Sequence, residues 1–189
     1  TGVTNELNNI FDFSRINVTN GSGSDTIDIT LLTTTLVANA TLDASAATGN
    51  GYLVLDASAE DDGIVILGTA NADQVTLGAG NDVLDASAGA DVVNAADGGE
   101  DSINLGADND TVSFGTDVTD FDTVRGGDGA DVLVYNDTTD GSGNELNSVF
   151  DIESVVVSGV NVNLTLTNTV FSETVGSGVG SDATINASA

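Results

Sequence analysis

An aspartate, any residue, then one apolar side chain: this triplet returns seven times between Gly68 and Val134 at intervals of about nine residues, and it limits what the chain can fold into. The units are GTANADQVT, LGAGNDVLD, ASAGADVVN, AADGGEDSIN, LGADNDTVS, FGTDVTDFDTVR and GGDGADVLV. Their apolar residues are Val75, Leu84, Val93, Ile103, Val112, Val124 and Leu133. Gly, Asn and Asp supply the tight or left-handed conformations of a turn, and the three residues around each apolar position suit a very short strand with one side chain pointing inward. A turn and a strand make half a coil. Two units, about eighteen residues, would complete one coil, and stacked coils would set parallel strands about 4.8 Å apart.

The charge asks for a partner that the chain does not encode. Thirty acidic residues face only Arg15 and Arg125, for a net charge of −28. Two carboxylates about 4 Å apart repel by roughly 1 kcal/mol in water and about 4 kcal/mol at the effective dielectric of a protein surface, so clustered aspartates oppose folding unless cations sit between them. The same imbalance excludes nucleic acid and anionic membrane surfaces as partners, since both are bound through Lys and Arg. With no Cys and no His, thiolate and imidazole metal sites are excluded; oxygen donors remain, which favour hard cations such as Ca²⁺. No apolar run reaches the ~18 residues of a membrane span, so no membrane insertion is expected. Thr1 to Ile10 lacks the basic start and apolar core of a signal peptide, and the chain has no Met, so it reads as a piece of something longer.

A second, longer repeat overlies the first. NELNNIFDFSRINVTN at 5–20 recurs as NELNSVFDIESVVVSG at 144–159, and ATLDASA at 40–46 recurs as ATINASA at 183–189. The expected organisation is therefore a β-rich part of a tandem unit over 1–67, a repeat region over 68–136, and the start of a second tandem unit over 137–189. The pentapeptide LDASA at 42, 55 and 84 ties the first part to coils of the same kind. Elsewhere DTIDITL from Asp25, YLVL from Tyr52, GIVIL from Gly63 and the run from Ser154 alternate like strands with one buried face. NELNNIFDF and NELNSVFDI would each form a helical turn or, on the simpler reading, a corner element.

GGDGADVLV, LGAGNDVLD and LGADNDTVS resemble the glycine-rich nonapeptide of RTX proteins, a Ca²⁺-binding parallel β-structure. The resemblance implies an all-β parallel β-roll, or β-solenoid, with calcium-binding turns, flanked by further β-strand coils or a small β-sandwich. It implies calcium ions between successive turns, held by turn carbonyls, among them those of Gly78, Gly80, Gly89, Gly99, Gly127 and Gly129, and by aspartates in two rows. One row would be Asp73, Asp91, Asp110 and Asp131, and the other Asp82, Asp101 and Asp122. NGSGSDTID at 20–28 fits the pattern alone and would bring in Asp25. The extra residue in AADGGEDSIN and the three extra in FGTDVTDFDTVR should bulge their turns. Units opening with Leu-Gly or Ala-Ser in place of a glycine pair should have weaker turns. For an isolated aspartate the expectation is a cap on its own turn. Asp61, Asp62, Asp117 and Asp120 are expected on a solvated face.

The flanking phrases LDASA and ESVVVSG resemble calcium-dependent surface-layer and large adhesin-like proteins of Gram-negative bacteria, implying type I secretion and a place on the cell surface. The expected function is thus an extracellular, calcium-dependent structural module of a surface lattice or fibre, folding and assembling as calcium binds. The expected partners are further copies of itself and cell-surface polysaccharide. An adhesin segment recognising a glycan or other surface is the alternative, although Thr76, Thr111 and Thr123 are too scattered to form a regular rank. A stability or secretion appendage of an enzyme comes third. No His, Cys or Lys is present to act as base or nucleophile, so the segment itself is not expected to be an enzyme.

Overall fold

Two parallel sheets face one another across a narrow core, and the chain alternates between them strand by strand as far as residue 158. The structure, a computed structural model, describes residues 13–19, 26–32, 36–116, 118–119, 121–136, 146–158 and 184–188. The first sheet stacks β1 (Phe13–Asn17), β3 (Leu36–Asp43), β5 (Val65–Leu67), β7 (Val83–Asp85), β9 (Ser102–Ala107), β11 (Thr123–Asp128) and β13 (Val149–Phe150). The second stacks β2 (Thr26–Thr30), β4 (Tyr52–Asp56), β6 (Gln74–Thr76), β8 (Val92–Asn94), β10 (Thr111–Ser113), β12 (Val132–Asn136), β14 (Ser154–Ser158) and β15 (Thr184–Ser188). The described residues contain no helix. This is a parallel β-solenoid of the β-roll kind.

The strands are short because one inward residue is all that a narrow coil can accommodate. In β6, β7, β8 and β10 the middle residue is buried and its neighbours face outward. In-register pairing turns those single residues into two apolar columns. Leu42, Ile66, Leu84, Ile103, Val124 and Val149 line the first sheet. Ile29, Leu55, Val75, Val93, Val112, Leu133 and Val155 line the second. All seven apolar residues of the repeat triplets belong to these columns.

The first position of each nine-residue unit also points inward. Leu77, Ala86, Ala95, Leu105 and Phe114 are buried there. At the Ala-Ser opening Ser87 is held at a left-handed φ of 81°, the weaker turn expected where a glycine is missing, whereas the opening Leu, Ala and Phe residues themselves lie inside. They fill the core at the coil's corners, where fully burying a large apolar side chain contributes about 1.5–3 kcal/mol.

The coils before residue 68 belong to the same solenoid, not to a separate sandwich. Strand β4 pairs with β6, and β5 with β7, so both sheets cross from residue 67 to 68 without a break. LDASA is a corner of this solenoid. Asp43 Oδ1 accepts the Ser45 N–H at 3.0 Å and the Ser45 hydroxyl at 2.6 Å, and Asp56 does the same with Ser58. Those Ser45 bonds, joined by the Arg15 guanidinium, hold the Asp43 carboxyl below its ordinary pKa.

The second long-range copy docks on the end of the nonapeptide region in full register, Val132 to Asn136 against Ser154 to Ser158. It does so half a coil out of phase with the first copy. Strand β1 lies in the first sheet while β14, which carries the matching sequence 139 residues later, lies in the second. Within NELNSVFDI, residues 146–148 form a turn that leads into β13, the corner element of the simpler reading. NELNNIFDF lies outside the described residues, except for Phe13 in β1.

Candidate metal centre

The aspartates stand in two ladders along the solenoid's edges, one at the turns that lead from the first sheet to the second and one at the return turns. On the first edge, Asp91 Oδ1 accepts the Asp73 N–H at 2.7 Å, Asp110 Oδ1 accepts the Asp91 N–H at 2.8 Å, and Asp131 Oδ1 accepts the Asp110 N–H at 2.9 Å. On the second edge, Asp101 Oδ1 accepts from the Asp82 N–H at 3.0 Å and Asp122 Oδ1 from the Asp101 N–H at 2.8 Å. The two rows that the resemblance implied are those brought together here. All seven carboxylates are buried. Each ladder begins on an apolar residue, Leu53 donating to Asp73 and Ile64 to Asp82.

The turns stack closely because their backbones meet. A Cβ on Gly78 would fall onto the Glu60 carbonyl, on Gly80 onto Asp62, on Gly99 onto the Gly80 carbonyl, and on Gly129 onto the Asp108 carbonyl; Gly89 similarly abuts Asn71. At Gly127, with φ of 105°, a side chain would meet the Gly106 carbonyl as well as the left-handed backbone. Main-chain oxygens of one turn thereby face the next turn.

The second carboxylate oxygens divide the aspartates into two groups. Asp73 Oδ2 accepts the Thr69 N–H at 2.7 Å, with the Thr69 hydroxyl on Oδ1 at 2.7 Å. Asp122 Oδ2 likewise takes the Thr119 N–H at 2.7 Å and its hydroxyl at 3.1 Å. These two aspartates cap their own turns. Asp82 Oδ2 has only a long bond, from the Gly78 N–H at 3.3 Å. Asp91, Asp110 and Asp131 each bury an Oδ2 that has no hydrogen-bond partner.

Burying an acceptor that nothing satisfies costs about 1–3 kcal/mol, and more when it is charged. The carboxyls respond. Burial, opposed by the ladder hydrogen bond and reinforced by neighbouring carboxylates, pushes Asp91 up to about 8, Asp101 to about 7 and Asp131 to about 6. Asp110 is raised to about 6 by the same burial, with Asp108 adding to it. Asp73 and Asp82 are raised as well, by burial first.

Neither arginine answers this need. Arg15 pairs with Asp43 at 2.5 Å, and Arg125 pairs with Asp151 at 3.2 Å while lying over the Phe150 ring. Among the described residues no group of three or more carboxylates is arranged to hold a metal by side chains alone. The donor set is instead one or two carboxylates per interval with turn carbonyls around them, which suits a hard cation taking about six to eight oxygens. Calcium fits these residues. Bound there, it would supply positive charge between turns and keep the carboxylates ionised.

A family model described as RTX calcium-binding nonapeptide repeat (4 copies) matches residues 67–99, 95–117 and 119–141. These stacked turns are RTX calcium-binding repeats. The RTX roll is a structural calcium-binding fold, and such repeats occur in secreted bacterial proteins. No curated protein and no solved structure matches the chain.

Asp25, Asp117 and Asp120 lie outside the described residues, whereas Asp61 and Asp62 are exposed, as expected for a solvated face. The insertion in FGTDVTDFDTVR widens the corner between Phe114 and Asp122 and leaves Phe121 66% exposed. Coil length grows accordingly, from Val75 opposite Val93 to Val112 opposite Leu133. One acidic residue escaped the sequence reading. Glu153 Oε2 accepts the Asp131 N–H at 2.7 Å, the bond an aspartate makes at every earlier rung. The signal was present: Glu153, Ser154, Val155 is the repeat triplet with Glu in place of Asp.

Proposed function

We propose that this chain is an extracellular calcium-dependent structural module of a bacterial surface assembly, with Asp91, Asp110 and Asp131 as its principal carboxylate ligands and Asp82 and Asp101 serving the other edge. The carrying observation is the column of three buried Oδ2 atoms that no encoded positive charge reaches. Turn carbonyls complete each interval, and Asp73 and Asp122 act mainly as caps.

Calcium at the millimolar level outside a cell would close the coils; without it, repulsion along the ladders would favour an open chain suited to export. The unbroken register of the second copy's strand on the end of the nonapeptide region supports tandem units joining into one continuous solenoid, a geometry that suits a lattice or fibre. Surface recognition gains less support, because the outward column of the second sheet mixes Asp28, Val54, Gln74, Val92, Thr111, Val132 and Ser154, with no regular rank of Thr or aromatic rings. A catalytic role for the segment gains less support, since it has no His, Cys or Lys.

Circular dichroism during chelator titration tests the metal dependence: strand signal should fall and return on adding calcium. Size-exclusion chromatography with and without calcium tests assembly. An unchanged spectrum would remove the metal reading, and a strictly monomeric species at high concentration and saturating calcium would remove self-assembly.

A further inference from the structure

The turn that follows the last nonapeptide, Asp151 to Glu153, belongs to no matched repeat, since the family match ends at residue 141. It nevertheless continues the first ladder. Asp131 is fully buried, and its Oδ1 is occupied by the Asp110 N–H. Its Oδ2, which has no partner, points onward: a Cβ built on Gly126 would lie 2.6 Å from this oxygen and fall onto the Asp151 main-chain oxygen. Both oxygens thus border the same small space, where only a glycine fits. Glu153 reaches the interval from the other turn, its Oε2 on the Asp131 N–H.

We infer that the calcium-binding column of this edge continues one interval beyond the repeats, with Glu153 closing a site whose other donors are Asp131 Oδ2 and the Asp151 carbonyl. The Asp151 side chain is left to Arg125. Two sequence comparisons within the chain agree with this. In the first long-range copy the place of Glu153 is taken by Ser14, which carries no charge. On the opposite edge, the place beyond Asp122 falls to Asn147, exposed and uncharged, so that column stops with the repeats. The two edges would therefore hold unequal numbers of ions, the longer row ending on a glutamate whose extra methylene spans to a shortened turn.

This inference rests on the reading that the ladders bind calcium. Equilibrium dialysis with radiolabelled calcium separates the two. Glu153→Gln retains an acceptor for the Asp131 N–H and removes the charge; Glu153→Ser installs the side chain found in the first copy. Each variant, with its strand signal in saturating calcium checked by circular dichroism, should bind one ion fewer per chain than the parent. Equal ion number and equal affinity in parent and both variants would overturn the closing role of Glu153 and reduce it to a hydrogen-bond acceptor. A parent chain that takes up no calcium would instead overturn the reading of the ladders themselves.

Discussion

Replacing Asp91 by asparagine should stabilise the solenoid when calcium is absent and destabilise it when calcium is saturating. Asparagine keeps a carbonyl oxygen for the Asp73 N–H, which now bonds Asp91 Oδ1 at 2.7 Å, so the ladder need not break. What changes is the charge at Oδ2, which is buried and has no partner. With its pKa pushed up to about 8, Asp91 is mostly protonated at pH 7 in the calcium-free fold but ionised in the unfolded chain. Taking up that proton costs at most about 4 kcal/mol, at roughly 1.4 kcal/mol per pKa unit from the ordinary carboxylate value near 4 to pH 7. Solvent reaching the open turns trims this to about 2 kcal/mol. The variant avoids that cost, and its urea midpoint in chelator should rise by about 1 M for a slope near 2 kcal/mol per M. In calcium the sign reverses, since removing one partner of a buried charge pair costs about 3–5 kcal/mol. Urea unfolding followed by circular dichroism, in chelator and in excess calcium, reads both changes. A variant less stable than the parent in both conditions, or indistinguishable from it in both, would refute the claim that uncompensated charge is what opposes the apo fold.

Three further outcomes are expected. Because the folded-state carboxyls of Asp91, Asp101, Asp110 and Asp131 are raised above their unfolded value, the calcium-free fold binds more protons than the unfolded chain; the stability they contribute should be full below about pH 4, fall as pH rises from there, and be lost once pH has passed through about 6–8. Calcium binding should correspondingly release protons and tighten over that same window, measurable in weakly buffered titrations. Ser87 holds a left-handed φ of 81° in the column continued by Gly106 and Gly127, so Ser87→Gly should raise the unfolding free energy by about 1 kcal/mol, whereas Gly106→Ala, whose Cβ would fall onto the Ser87 carbonyl, should cost several times as much. Leu84→Ala, in the middle of the first sheet's apolar column, should lose about 2–5 kcal/mol with or without calcium, which distinguishes core packing from metal linkage in the same unfolding assay.

The parts of the fold that were legible in the sequence are those that repeat locally. Val75, Leu84 and Val93 could be placed inward, and Asp73 and Asp91 set on one edge with Asp82 on the other, because a turn and a three-residue strand fill nine residues with little freedom in register. Ahead of residue 68 the period dissolves, and alternation such as YLVLD fits a sandwich strand as readily as a coil; only its pairing with Gln74 to Thr76 decides between them. The capping threonines were hidden for a related reason. Thr69 and Thr119 stand four and three residues before their aspartates, so no fixed spacing marks them, yet they give the second carboxylate oxygens of Asp73 and Asp122 a hydrogen-bond partner. The inward place of each unit's opening residue was not legible, because the pattern puts glycine there, while in this chain the coil corner faces the core and accepts Leu77 or Phe114.

The triplet that made the repeat visible also couples its two stabilising elements. In Asp82, Val83, Leu84 the carboxylate and the core side chain are two residues apart, so the register that stacks Leu84 on Ile66 and Ile103 also places Asp82 beneath Ile64 and above Asp101. A slip of one residue would turn Leu84 outward and draw the carboxylate off its rung at once. Each interval that binds a cation therefore fixes the packing of the coils on either side, and each packed coil preforms the next interval. Loss of calcium should accordingly spread along the ladder instead of remaining at one turn. It should spread further along the edge of Asp91, Asp110 and Asp131, where buried oxygens have no substitute partner, than at Asp73 or Asp122, where a threonine already provides one.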